Sequence, residues 1–226
     1  MYILGLDPSL KKTGYVVFDL DKPDKEIKEK GLLKTSTKDG LLILRLIKQT
    51  KQIENIINKY NISYIGMESP YFGAGSTEIL FALNQFLHKM FLEKEIFIVC
   101  FPPLMLKKLV FPEKSAMEIT KSYMIDKAKT ILNLQGKRLA EDVADAYWAG
   151  VFGKKFYLWY NKFLKDEELS SYELEVFKGK HVYSKGKQKG YVEYKGIIYR
   201  ENELFYDFKK IKRSTSICQE QLKNKK

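Results

Sequence analysis

Residues 1–18 read Met1-Tyr2-Ile3-Leu4-Gly5-Leu6-Asp7-Pro8-Ser9-Leu10-Lys11-Lys12-Thr13-Gly14-Tyr15-Val16-Val17-Phe18. Two apolar, β-prone runs, Tyr2 to Leu6 and Gly14 to Phe18, flank a break at Pro8-Ser9 and Lys11-Lys12, the pattern of two antiparallel strands joined by a turn. Asp7 ends the first run immediately before Pro8, where an aspartate can serve the turn alone. The pattern recurs at Tyr64-Ile65-Gly66-Met67, an apolar run that also ends on an acid, Glu68. If both strands are central in one sheet, their ends bring two carboxylates side by side. Like charges so placed repel unless a cation lies between them.

Working outward, Ile27 to Thr35 adds a third strand, and Asp39 is placed to cap a helix through about Tyr60 with Leu42, Leu46, Ile53, Ile56 and Ile57 apolar. Ile62 to Met67 follows as a strand, then a loop with Pro70, Gly73 and Gly75. A helix from Ser76 or Thr77 through Leu92 leads to the apolar strand Ile96 to Phe101, with further helices near 114–133 and 140–160. Three strands followed by helix, strand, helix, strand and more helices give an α/β fold, a mixed sheet flanked by helices in the ribonuclease-H-like order. Such a fold licenses no activity by itself. After Lys162 the composition turns Gly-, Lys- and Tyr-rich. The expected organisation is a main α/β domain over 1–162 and a small β-rich basic extension over 163–226, its tail disordered after about 209.

Glu141-Asp142-Val143-Ala144-Asp145-Ala146-Tyr147-Trp148-Ala149-Gly150 supplies more acids. Asp142 and Asp145, spaced i,i+3, share one helical face, and the small Ala144, Ala146 and Ala149 let the helix lie close to its neighbour. The same acids also suit a helix N-terminus, and Glu141 is spaced to share a face with Asp145, so spacing alone leaves the register open. Carboxylates from two strand ends and one helix suit Mg²⁺ or Mn²⁺, whereas zinc wants His and Cys. His88 and His181 lack partners at ligand spacing. The chemistry of such a site is metal-assisted hydrolysis with two ions, one activating water and one stabilising the leaving oxygen of a phosphodiester.

Composition agrees. The formal net charge is +12, of which +8 falls from Lys154 onward, a surplus that attracts polyanions. Hydrophobic residues make up 45% of the chain, enough for a real core, yet no stretch approaches the ~18 uninterrupted apolar residues of a membrane span. With only Cys100 and Cys218, neither a disulfide framework nor a thiolate zinc site can be built, and a reducing, cytoplasmic compartment is expected.

Ile3-Leu4-Gly5-Leu6-Asp7-Pro8-Ser9 with Thr13-Gly14-Tyr15, then Ile65-Gly66-Met67-Glu68, then Asp142-Val143-Ala144-Asp145-Ala146 resemble, in order and spacing, the RuvC-type Holliday junction resolvases over about residues 1–153. The resemblance implies Asp7, Glu68, Asp142 and Asp145 as the metal-binding catalytic set, a homodimer, and a four-way DNA junction nicked symmetrically in two opposing strands. It places a catalytic, DNA-contacting lysine at Lys107 with Lys108 beside it, and a second basic position at Lys121. Tyr71 or Phe72 falls where the family carries an aromatic that wedges into the junction. A bacterial or phage-infected cytoplasm is the implied setting, with an organelle the alternative. Ser69-Pro70 after the acid, and the extension past about Phe163, depart from the compact bacterial pattern.

The helix from Ser76 to Leu92 carries Ile79, Leu80, Phe81, Leu83, Phe86, Leu87, Met90 and Phe91, more apolar surface than one stripe, which suggests a dimer contact. An actin-like ATPase, which shares the Gly-x-Asp opening, is excluded by the lack of a second Gly-rich phosphate loop. A nuclease acting on RNA or RNA–DNA hybrids, and a junction-binding protein without catalysis, remain alternatives.

Overall fold

A computed structural model describes residues 1–69 and 77–178 and, beyond them, the backbone of short strands. Strands β1 (Tyr2–Asp7), β2 (Lys12–Asp19) and β3 (Ile27–Lys34) form an antiparallel meander, and β4 (Tyr64–Glu68) and β5 (Phe97–Phe101) continue it parallel to β1. The order β3-β2-β1-β4-β5 puts β1 and β4 at the centre. On the β5 edge, Ile198–Arg200 and Glu203–Phe205 add two antiparallel strands, while His181–Val182 and Val192–Glu193 pair separately. The mixed sheet flanked by helices is the fold expected from the sequence.

Strand alternation divides the core in two. Leu4 and Leu6, with Val17, Ile65, Met67 and Ile98, face helices α1 (Leu42–Tyr60) and α2 (Thr77–Glu93). Ile3, Val16, Phe18, Val99 and Phe101 face the opposite way, onto α3 (Pro103–Val110), α4 (Lys121–Ile131) and α5 (Glu141–Tyr160). Helix α5 is buried on all sides, with Val143, Ala146, Trp148, Ala149 and Phe156 all in the interior. Among the described residues no helix is long and apolar enough to cross a membrane.

Three local expectations are corrected. Asp39 does not cap α1. Its carboxylate accepts the Ser36 amide at 2.7 Å within a separate one-turn helix, Thr37–Asp39, and pairs with Lys48; Gly40 at φ 97° then breaks the chain before Leu41. The helix expected from 114 begins at Lys121, because the Thr120 hydroxyl caps it by accepting the Tyr123 amide. The stretch after Lys162 begins helical: α6 (Ser171–Phe177) is started by a reciprocal Ser170–Glu173 capping box. Phe177 on α6 packs 5.3 Å from the Phe156 ring and 5.7 Å from Trp159 on α5. Tyr71, Phe72 and the tail after 209 lie outside the described residues.

Candidate active site

The strands place two acids first. Leu6 pairs with Met67 across the parallel β1–β4 ladder, so Asp7 and Glu68 are the next residues on adjacent central strands. Alternation turns both toward α5, the face already occupied by Ile3 and by the α5-contacting Gly5 and Gly66. The turn after Asp7 is pinned by Thr13, whose hydroxyl accepts the Ser9 amide at 3.0 Å and donates to the Ser9 carbonyl at 2.8 Å. Beyond Glu68 the Ser69 amide bonds the Phe101 carbonyl at 3.0 Å, holding that strand end against β5.

Helix α5 brings the other two acids by packing backbone on backbone. A Cβ on Gly14, the residue opposite Asp7 in the β1–β2 ladder, would lie 1.8 Å from the Asp142 carbonyl oxygen. One on Gly66 would lie 2.1 Å from the Ala149 carbonyl oxygen, and Gly5, Gly150 and Gly153 close the same seam. Glycine in a strand marks such an approach, since no other residue leaves room for a second backbone. With the helix lying directly on β2, β1 and β4, its first turns set Asp142 and Asp145 beside the ends of β1 and β4.

The charges register this convergence. Burial, and then the Asp145 and Asp142 carboxylates, push Asp7 up to about 8, while Lys121 pulls against them. Glu68 is raised well above the usual carboxylate range, chiefly by burial, then by Asp7 and Asp145. Burial raises Asp145 to about 6 against the opposing pull of Lys121 and Lys107. Four acids therefore share one site that is short of compensating charge. Among the described residues, no three His, Cys, Asp or Glu side chains stand close enough together to hold an ion in the arrangement seen.

Lys107 and Lys121 are the cations that act on the cluster. Lys107 rides on α3, which starts at Pro102-Pro103, a proline pair suited to a helix start. Lys121 opens α4 and forms an ion pair with Glu141, whose carboxylate is not among the charges shifting Asp7, Glu68 or Asp145. Helix α4 is locked to α5 by the Trp148 indole N–H donating to the Met124 carbonyl at 3.0 Å. Lys127 ties α4 to the end of α3 through the Val110 carbonyl. Lys108 turns away from the acids, donating to the Lys114 carbonyl at 2.7 Å and to the Pro112 carbonyl. The seam glycines and Lys127 are positioning residues to which sequence reading assigned no such role. Glycines inside strands were the available signal for the former; Lys127 offered none.

The family model for the crossover junction endodeoxyribonuclease RuvC matches residues 3–151, which span β1 through most of α5. The RuvC of Prochlorococcus marinus strain MIT 9211 is 31% identical over 113 residues, 49% of this chain and 70% of that protein. The RuvC of Sulfurovum sp. strain NBC37-1 is 27% identical over 149 residues, covering 65% of this chain and 90% of its own length. In fold, the chain matches Thermus thermophilus RuvC with a TM-score of 0.58 at 13% identity, over 72% of this chain and 97% of that one. The T. thermophilus RuvC solved with a Holliday junction substrate gives a TM-score of 0.54, also at 13% identity, over 72% and 96%. With both acid-ended strands and the acidic first turns of α5 inside the matched span, this chain belongs to the RuvC family of crossover junction endodeoxyribonucleases.

Proposed function

We propose that this chain is a divalent-metal-dependent endonuclease that binds four-way DNA junctions and resolves them as a homodimer, nicking two opposing strands symmetrically. The observation that carries the reading is the gathering of Asp7, Glu68, Asp142 and Asp145 at one end of the sheet under the pull of Lys107 and Lys121. The donor set fits a hard cation: every ligand is a carboxylate oxygen, and mutual repulsion raises the affinity of the site for positive charge. Two Mg²⁺ or Mn²⁺ ions held by these four residues would supply metal-assisted phosphodiester hydrolysis.

The chain's own groups do the rest. Asp7 and Glu68 serve as ligands only when ionised, so a cation entering the site competes with the protons that burial favours there. Lys107 and Lys121, on helices fixed to α5, present positive charge where a scissile phosphate would approach. Tyr71 or Phe72, shortly after Glu68 in the sequence, is assigned to stacking on unpaired bases, a contact worth about 1–3 kcal/mol. Lys108, held by its loop carbonyls, shapes the path beside Lys107.

Symmetric nicking needs two sites related by a two-fold axis, and α2 offers the contact. Its Leu83, Leu87 and Phe91 are buried in the subunit, while Ile79, Phe81 and Phe86 remain exposed. The nuclease unit is residues 1–162, onto which residues 163–178 are strapped through Phe177; its setting is a bacterial or phage-infected cytoplasm.

The test is incubation of the full chain with a synthetic four-way junction, a linear duplex and an RNA–DNA hybrid in Mg²⁺, Mn²⁺ or EDTA. Paired nicks in the junction, lost in EDTA, are expected. Preferential cutting of the hybrid would replace the substrate with RNA–DNA, and junction binding without cutting in either metal would leave only a binding protein.

A further inference from the structure

At the same end of the sheet as Asp7, but outside the carboxylate cluster, Lys11, Lys12, Lys34, Thr35, Ser36, Thr37, Asp39 and Arg45 line a cleft of about 530 Å³. It is formed by the β1–β2 turn, the end of β3 and the start of α1. Lys12 and Lys34 are direct partners across the antiparallel β2–β3 ladder. Like charges in that position destabilise a sheet unless an anion lies between them. Among the described residues, none of Lys11, Lys12, Lys34 and Arg45 is ion-paired. The one acid of the cleft, Asp39, is already paired with Lys48. The Arg45 Nε is shielded from solvent and has no hydrogen-bond partner among the described residues. Thr35 is buried and spends its hydroxyl on the Leu10 carbonyl, fixing the β3 end to the hairpin turn.

Four cations without an ion pair among the described residues, two from the β1–β2 hairpin, one from the end of β3 and one from α1, with Ser36 and Thr37 beside them, form a site for phosphate oxygens. Resting on the resolvase reading above, we infer that this cleft seats backbone phosphates of the substrate DNA one or two nucleotides from the scissile position. Lys12 lies two residues beyond Gly14, the partner of Asp7, so about 7 Å separates their levels along the strand. Successive phosphates of one strand advance by about 3.4 Å along a duplex axis, so a strand held at Asp7 reaches the cleft within one or two steps. The volume accommodates more than one phosphate, and the turn that leads through Lys11 to Lys12 at the start of β2 begins at the Asp7 end of β1.

The experiment compares the full chain with its Lys12→Gln/Lys34→Gln variant, and with Lys25→Gln/Lys28→Gln at the opposite end of the sheet as control. Junction affinity is measured from 50 to 300 mM salt, and thermal melts establish that each variant is folded. Each phosphate contact contributes about 0.9 to the slope of log K against log salt. Lys12→Gln/Lys34→Gln is expected to flatten the slope by nearly two and to weaken binding at least tenfold at 150 mM. Lys12→Arg/Lys34→Arg should restore both, and the control should leave the slope unchanged. A junction with neutral methylphosphonates one and two nucleotides from the nick should weaken wild-type binding but not that of the Gln variant. Wild-type junction binding with an unchanged slope in the Gln variant overturns the inference alone, as does titrated inorganic phosphate binding that is lost in that variant while the DNA slope stays. Absence of junction binding by the wild type overturns the resolvase reading with it.

Discussion

Replacing Gly14 by alanine tests whether backbone contact sets the active-site geometry. The new methyl carbon would fall 1.8 Å from the carbonyl oxygen of Asp142 and 2.3 Å from its carbonyl carbon. A carbon meets a carbonyl oxygen comfortably at about 3.3 Å, so β2 and the first turn of α5 must part by roughly 1.5 Å. Neither side yields easily: β2 is held between β1 and β3, and α5 is seated further along by Gly5 and Gly66. Overpacking of this kind costs about 1–3 kcal/mol. A shift of that size in a reacting group costs on the order of 10²-fold in rate. Single-turnover nicking of a four-way junction in Mg²⁺, with a thermal melt of the same sample, reads both effects. Gly14→Ala should nick about a hundredfold more slowly and bind the junction nearly as well. Gly136→Ala is the control: its Cβ meets nothing within 4 Å, and only the φ of 74° makes it costly, by about 1–2 kcal/mol. It should lose comparable stability and keep its rate. Wild-type nicking by folded Gly14→Ala would refute the idea that this seam fixes the position of Asp142.

In EDTA, burial and the neighbouring carboxylates push the native Asp7 carboxyl up to about 8, while in the unfolded chain it ionises near 3.8, so the native state binds more protons between these limits and its stability should fall as pH rises from about 4 to 8. Asp7→Asn should remove that decline and stabilise the metal-free protein by about 1–3 kcal/mol at pH 7.5, and Mg²⁺ should raise the wild-type Tm more at pH 8 than at pH 5.5; parallel Tm profiles for the two proteins would rule this out. Glu68→Gln, Asp142→Asn and Asp145→Asn are expected to lose cleavage and keep junction binding in a gel shift, whereas Glu141→Gln, which releases only the Lys121 ion pair, should nick within about threefold of wild type. Phe81→Glu on α2 should shift sedimentation from dimer to monomer at micromolar concentration, and a wild type that is monomeric with and without junction would remove α2 as the contact. Phe177→Ala should cost about 3–5 kcal/mol in urea unfolding, since its ring is buried against Phe156 and Trp159, and a loss below 1 kcal/mol would show that α6 does not strap α5.

What was legible in the sequence is what local pattern encodes. Apolar runs ending on Asp7 and Glu68 give strand, face and terminus together, because a period of two fixes which way the last residue points. The i,i+3 spacing of Asp142 and Asp145, with small residues between and after them, gives a helix that can approach a sheet. Sheet order is not local, so Gly5, Gly14 and Gly66 could be read as strand glycines but not as the seat of a particular helix. The misplaced starts of α1 and α4 have a common cause: Asp39 and the stretch from Lys114 carry polar residues suited to a cap, yet neighbouring turns claim them first. The Ser170–Glu173 box was readable, but the Gly- and Lys-rich composition downstream drew the whole extension toward strand.

The β1–β2 hairpin carries two clusters of opposite charge that do not neutralise one another. Asp7 stands among carboxylates facing α5, and the lysine that acts on it, Lys121, comes from another helix altogether. Lys12 and Lys34, from the outer end of the same hairpin and its neighbour, repel across a ladder and are not ion-paired among the described residues. A flexible loop would let these groups collapse into ion pairs. The short turn pinned by Thr13 and the seam against α5 prevent it, so both clusters keep an unmet demand for counter-charge. On the proposed reading, one demand would be met by cations and the other by phosphates, and a metal-bound nucleic-acid strand would bring both at once. The repulsion stored in holding like charges together would then be relieved when substrate and metal arrive together, which would couple ion affinity to DNA occupancy. A tighter apparent Mg²⁺ affinity in the presence of junction, lost in Lys12→Gln/Lys34→Gln, is the consequence that distinguishes coupled clusters from two independent sites.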